Sequence, residues 1–132
     1  MKSTRIFLLL SAFVFLYSCE KDNYFIPKET PVDPNVQVSF AADIQPIFDA
    51  SCATSGCHDG QNDDPNLTPG NAYAGLFDTS DIDTLVAENS KLYKRVANIS
   101  GNLMPPLSSG GQLPSNQVNL ILLWIQQGAK DN

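Results

Sequence analysis

What most constrains this chain is how little of it follows a regular helical or strand period. Residues 37–132 contain three segments with a helical repeat. Between them lie two long stretches punctuated by Pro and Gly: 59–89, with Pro65, Pro69, Gly70 and Gly75, and 100–114, with Gly101, Pro105, Pro106, Gly110 and Gly111. There is no internal repeat and no sustained strand alternation, although Thr84 to Ala87 reads as a short extended piece. A 96-residue domain built this way makes a thin core from protein alone, so another group is expected to fill part of its interior. The pattern predicts an all-α fold of three to five helices and long loops. At 132 residues the chain holds one ordinary domain, which argues against enzymes with separate cofactor and substrate domains.

The first helical pattern covers Ala42 to Cys52, with Ile44, Ile47, Phe48 and Cys52 on one face. Pro46 is tolerable only in a first turn, which makes Asp43 the expected N-cap. The second runs from an N-cap at Ser90 through Leu92, Tyr93 and Val96. The third has Ser115 as expected N-cap, apolar Val118, Ile121, Leu122 and Ile125, and Gly128 as its stop. Leu120, Leu123 and Trp124 widen its stripe, so contacts on more than one side are expected.

Ahead of the domain, residues 1–18 read as an export signal. Lys2 and Arg5 supply positive charge, and the 12-residue apolar run from Ile6 to Tyr17 is too short to span a bilayer. It ends in Leu16-Tyr17-Ser18-Cys19, which resembles the lipobox of bacterial lipoproteins and implies a lipidated Cys19; Tyr17 departs from the usual small residue. The alternative is a plain signal peptide with an incidental Cys. Processing at Cys19 leaves 114 residues with 6 basic and 14 acidic side chains, a formal charge of −8. Residues 19–36, with Pro27, Pro31 and Pro34, read as an extended linker. Their acidic start resembles the charged stretches of surface lipoproteins in Bacteroidetes-type bacteria, a hint of outer-membrane placement facing periplasm or cell surface.

Two cysteines then remain for the domain, in Cys52-Ala53-Thr54-Ser55-Gly56-Cys57-His58, immediately followed by the only histidine of the sequence. This grouping is what covalent haem c attachment needs. Each thiol adds across one vinyl group, and the adjacent His lies under the ring as proximal iron ligand. The usual spacing puts two residues between the cysteines; here there are four, a rarer variant that Gly56 and the small Ala53, Thr54 and Ser55 allow to bulge. Three other readings stay open: a local Cys52–Cys57 disulfide, a redox-active dithiol without the usual βαβ surroundings, and a zinc site needing an acidic fourth ligand.

Once Met1 is removed the only methionine is Met104, in Asn102-Leu103-Met104-Pro105-Pro106, 46 residues after His58. Its thioether is a suitable sixth iron ligand held in a proline-stiffened loop; the other reading is a gap-filling core side chain. Four blocks in order, Phe40 to Phe48 leading into Cys52…Cys57-His58, Ser90 to Val96, Leu103 to Pro106, and Leu113 to Ala129, resemble the monohaem cytochrome c domains of Bacteroidetes and Planctomycetes. The resemblance spans residues 40–129. It implies an all-α cytochrome c fold around one covalent haem c, with Cys52 and Cys57 as thioether positions and His58 and Met104 as iron ligands. It also implies that the first and last helices pack together beside the haem, Phe48 meeting the last helix. Trp124 is then either an inner haem contact or a plain core aromatic.

The net charge of −6 argues against nucleic acid as a partner. Residues 59–89 carry seven acidic side chains and no basic one. These form either a solvated acidic face or a surface that steers a basic redox partner; no spacing matches an EF-hand. Lys91, Lys94 and Arg95 form a basic cluster suited to a haem propionate, to an acidic partner, or to balancing the acidic loop. No substrate-handling constellation is visible. The expectation is a lipid-anchored one-electron carrier or redox subunit that is not an enzyme by itself. Its rivals are a haem-free, disulfide-bonded surface lipoprotein acting as a binding module, and a five-coordinate haem sensor in which Met104 does not bind iron.

Overall fold

A computed structural model of the protein describes residues 32–132. The expected export signal, the expected lipidation position Cys19 and residues 20–31 of the expected linker lie outside the described residues. Those described are helical, with no strand. A π-helical turn, Phe40–Ile44, leads directly into helix α1, Gln45–Ser51; α2 is Ala72–Asp78, α3 is Lys91–Val96 and α4 is Ser115–Gln126. Two short 3₁₀ turns, Ala87–Asn89 and Leu107–Ser109, precede α3 and α4 respectively.

The helical chain begins earlier than Ala42, and Ser39, not Asp43, caps it. Ser39 Oγ accepts from the Ala42 N–H at 3.2 Å, while the Asp43 carboxylate accepts from the Ser39 N–H at 2.8 Å. These are the reciprocal bonds of a capping box, spread over one residue more than usual. Pro46 supplies the reason. Inside a plain α-helix its ring would crowd the Ala42 carbonyl and leave it without a donor. Instead the wider closure of the π turn, with the Ile44 N–H on Ser39 O at 3.3 Å, ends just before it. Pro46 then stands in the first turn of α1.

Helix α2 falls inside a stretch that reads as loop, and Thr84 to Ala87 forms bends and the start of a 3₁₀ turn where an extended piece was expected. Ser90 does occupy the N-cap of α3, but its buried hydroxyl accepts from the Asp83 N–H at 2.8 Å, pinning the preceding loop. Pro114 is the N-cap of α4, one residue before the expected Ser115. At the far end Gly128, with φ 95°, closes a Schellman motif. Its N–H reaches Ile125 O at 2.9 Å and the Ala129 N–H reaches Trp124 O at 3.0 Å.

Helix α4 packs against the π turn, α3 and the 3₁₀ turn Ala87–Asn89. These neighbours account for its wide apolar stripe: Val118, Ile121, Trp124 and Ile125 are buried, and Leu120, Leu122 and Leu123 lie partly buried against the core. Phe40 is the residue that meets Trp124, ring centroids 5.2 Å apart, and it also touches Phe48 and Tyr73 edge-on. Trp124 is thus a core aromatic whose Nε1–H donates to Lys130 O at 2.9 Å. The expected pairing of first and last helices is made through the π turn. The two ends of the domain are stitched together as well. Asn132 O accepts from Ser39 Oγ at 2.8 Å and from the Ala41 N–H at 2.9 Å, and Gln127 Oε1 accepts from the Val38 N–H at 2.8 Å.

Candidate functional site

Helix α1 delivers the first cysteine. Cys52 is its C-cap, buried, with its N–H on Phe48 O at 2.8 Å. The chain then turns out and back: the Cys57 N–H donates to Thr54 O at 3.0 Å, and the His58 N–H returns to Cys52 O at 3.1 Å. The four-residue insert therefore projects outward, with Thr54, Ser55 and Gly56 exposed, and Cys52 and His58 are brought together across it. Burial, followed by the nearby Cys57, pushes the Cys52 thiol up to about 11. Both thiols are free. A buried, protonated thiol is not an activated nucleophile.

Asp59, which the sequence reading treats only as part of an acidic run, organises this loop. Its carboxylate accepts from the Gln61 N–H at 3.0 Å, the Gly56 N–H at 3.1 Å and the Asn62 side chain at 3.0 Å. These donors, the Gln61 N–H foremost, hold its carboxyl below the usual carboxylate value of 3.8. The signal in the sequence is the Asp-Gly pair at 59–60, an Asx-turn pattern.

His58 Nδ1 lies 3.1 Å from Pro65 O and 3.3 Å from Asp63 O. Backbone carbonyls only accept, so Nδ1 carries a proton and, in the neutral ring, Nε2 keeps its lone pair. Metal-binding histidines are oriented this way by their outer partners.

Met104 comes from the loop that follows α3. Its N–H donates to Arg95 O at 3.1 Å, tying the proline-rich loop to α3, and the following Pro105 is buried. Met104 itself is half-buried and lies outside the core cluster.

Cys52, Cys57, His58 and Met104 all line a single cavity of about 480 Å³, in the range of small-molecule and cofactor sites. Pro65, Leu67, Leu76, Leu92 and Val96 supply apolar wall, and Lys91 and Arg95 reach it from α3. Helix α4 contributes nothing to its lining, so neither Trp124 nor the wide stripe of α4 faces it. Lys94, third member of the basic cluster, is also absent from the wall and donates to Asn89 Oδ1 at 3.2 Å. Leu76 reaches the cavity from α2, which Gly75 lets lie against residues 65–66: a Cβ on Gly75 would stand 2.7 Å from Asn66 O.

These donors fit a haem c better than a bare ion: two thiols, an imidazole with one nitrogen already committed, a thioether across an apolar space, and cations for carboxylate side arms. Among the described residues, no three His, Cys, Asp or Glu side chains are grouped to hold a metal ion. No protein-family model, no curated protein and no solved structure matches the chain.

Proposed function

We propose that the protein is a one-electron carrier that holds one covalent haem c in this cavity and is anchored to a membrane of the bacterial envelope through Cys19. The observation that carries the reading is the convergence of Cys52, Cys57, His58 and Met104, separated by up to 52 residues in the sequence, on one apolar cavity. When bound, the haem supplies an iron that exchanges one electron between its ferric and ferrous states.

The chain's own residues supply the rest. Cys52 and Cys57 provide two covalent attachments; Pro65 and Asp63 carbonyls hold the His58 ring with Nε2 available as proximal ligand. Met104, fastened through Arg95 O, offers a neutral thioether that favours the reduced state relative to His alone. Leu67, Leu76, Leu92 and Val96 give the cavity an apolar wall that lowers its local dielectric. A partner protein would have to donate or accept the electron, and the exposed acidic residues Asp63 and Asp64 at the cavity wall favour a partner with a basic face. No helix among the described residues is long and apolar enough to cross a membrane, and the proposed means of attachment is a lipid at Cys19.

The test is production of the full chain with haem c maturation factors, followed by a pyridine haemochrome spectrum. A c-type haemochrome that survives denaturation is the expected result. Its absence despite competent maturation would falsify the reading, and an intact mass two hydrogens light, from a Cys52–Cys57 bridge, would then favour the haem-free binding module.

A further inference from the structure

The cavity wall carries five charged side chains: Asp63, Asp64 and Asp81 against Lys91 and Arg95. Asp81 and Lys91 are occupied with one another, Lys91 Nζ lying 3.4 Å from Asp81 Oδ1 and donating to Thr79 O at 3.0 Å. Arg95 is different. The residue is half-buried, and its guanidinium has no hydrogen bond or ion pair among the described residues. It therefore stands on the cavity wall with its donors free for a ligand, and the planar fork of Arg matches a carboxylate through two parallel bonds. The same residue holds Met104 by its backbone, the Met104 N–H reaching Arg95 O at 3.1 Å.

We infer that Arg95 binds a carboxylate side arm of the group held in the cavity and, through its carbonyl, couples that contact to the placement of Met104. The inference rests on the haem c reading, in which the side arm is a propionate. Two thioether attachments would hold the ring at Cys52 and Cys57, and on the remaining wall Arg95 would attract the propionates while the exposed Asp63 and Asp64 would repel them. Arg95 is a binding residue toward the propionate and a positioning residue toward Met104.

The experiment compares haem-loaded wild type with Arg95→Gln, Arg95→Lys and Lys94→Gln, the last removing the same charge one residue away but off the cavity wall. Haem content of the wild type is read first by pyridine haemochrome, so that failure of the haem reading is recognised separately. In Arg95→Gln the propionate bending mode in resonance Raman shifts, the reduction potential falls, and imidazole displaces Met104 at roughly tenfold lower concentration, the size expected from one charge-assisted hydrogen bond. Arg95→Lys recovers part of the potential, and Lys94→Gln leaves the propionate mode in place. Should Arg95→Gln not accumulate, Arg95→Lys still reads the loss of the fork in the Raman mode. An unshifted propionate mode in both Arg95 variants overturns the inference, as does an equal shift in Lys94→Gln. A shifted mode with unchanged imidazole displacement overturns the coupling to Met104.

Discussion

His58 and Met104 approach the same cavity under different kinds of restraint. Two carbonyls hold the imidazole by its Nδ1, whereas the thioether depends on a single backbone bond to Arg95 O. Met104→Ala is therefore expected to keep covalent haem, because both thioether positions remain, but to lose the Met-to-iron charge-transfer band of the oxidised spectrum and to show a lower reduction potential. Optical spectra and a redox titration check both. Absence of that band from the wild type would remove Met104 as a ligand and favour the five-coordinate sensor. Asp59 gives a pH-dependent prediction at the same scale. Its folded carboxyl titrates below 3.8, so its contribution to loop stability is present above that value and is lost as pH falls through the lower folded one. The Gly56 and Gln61 amide-proton shifts should titrate together, with a midpoint under 3.8, and stop doing so in Asp59→Asn. The residues that line the candidate cavity stood out because they are rare: one histidine and, beyond residue 19, one methionine and two cysteines leave few candidates to choose among. Asp59 was not, because one carboxylate among the seven acids of residues 59–89 looks like any other until its donors are seen.

Among the elements, α4 was readable because its apolar spacing runs over 12 residues and Gly128 marks its end. Helix α2 escaped because it has only seven residues, includes Gly75 and follows Pro69 and Gly70. Helices this short gain little from propensity and depend on packing. The packing is visible afterwards in Ala72 and Leu76, buried at i and i+4, and in Tyr73 tilted against Phe77 with centroids 4.9 Å apart. Gly75→Ala tests that dependence. The added methyl meets the backbone oxygen of Asn66, which cannot swing aside, so a loss of about 1–3 kcal/mol is expected from overpacking alone. Thermal denaturation measures it, and an unchanged melting temperature would mean that α2 is free to shift away from residues 65–67. The capped π turn offers a second case. Asn132→Ala removes the acceptor of the Phe40 N–H at 2.9 Å and the donor to Val38 O at 3.3 Å. At roughly 1 kcal/mol for each ordinary bond, a melting shift of the same order as that of Gly75→Ala is expected.

For the whole molecule, the thin core anticipated from the loop content is matched by a cavity on one side of the packed cluster. Loading with haem is expected to protect the loops that wall this cavity, residues 57–67 and 104–109, far more than α4, which lines none of it. Hydrogen exchange of loaded and unloaded protein compares the two, and equal protection of α4 and these loops would argue against a group in the cavity. Anchoring is tested apart from the fold: acyl labelling should vanish in Cys19→Ser, and labelling that persists would make the lipid assignment wrong. The stitching of Ser39 and Ala41 to Asn132 has a topological consequence. The chain enters and leaves this domain at neighbouring points, so both connections draw on one small patch of surface and leave the cavity wall unbroken. Such a unit can be spliced into a longer polypeptide like a bead on a loop. By the same logic, a circular permutant joining Asn132 to Gln37 through a short Gly-Ser segment and opened at the exposed Gly101 should still take up haem.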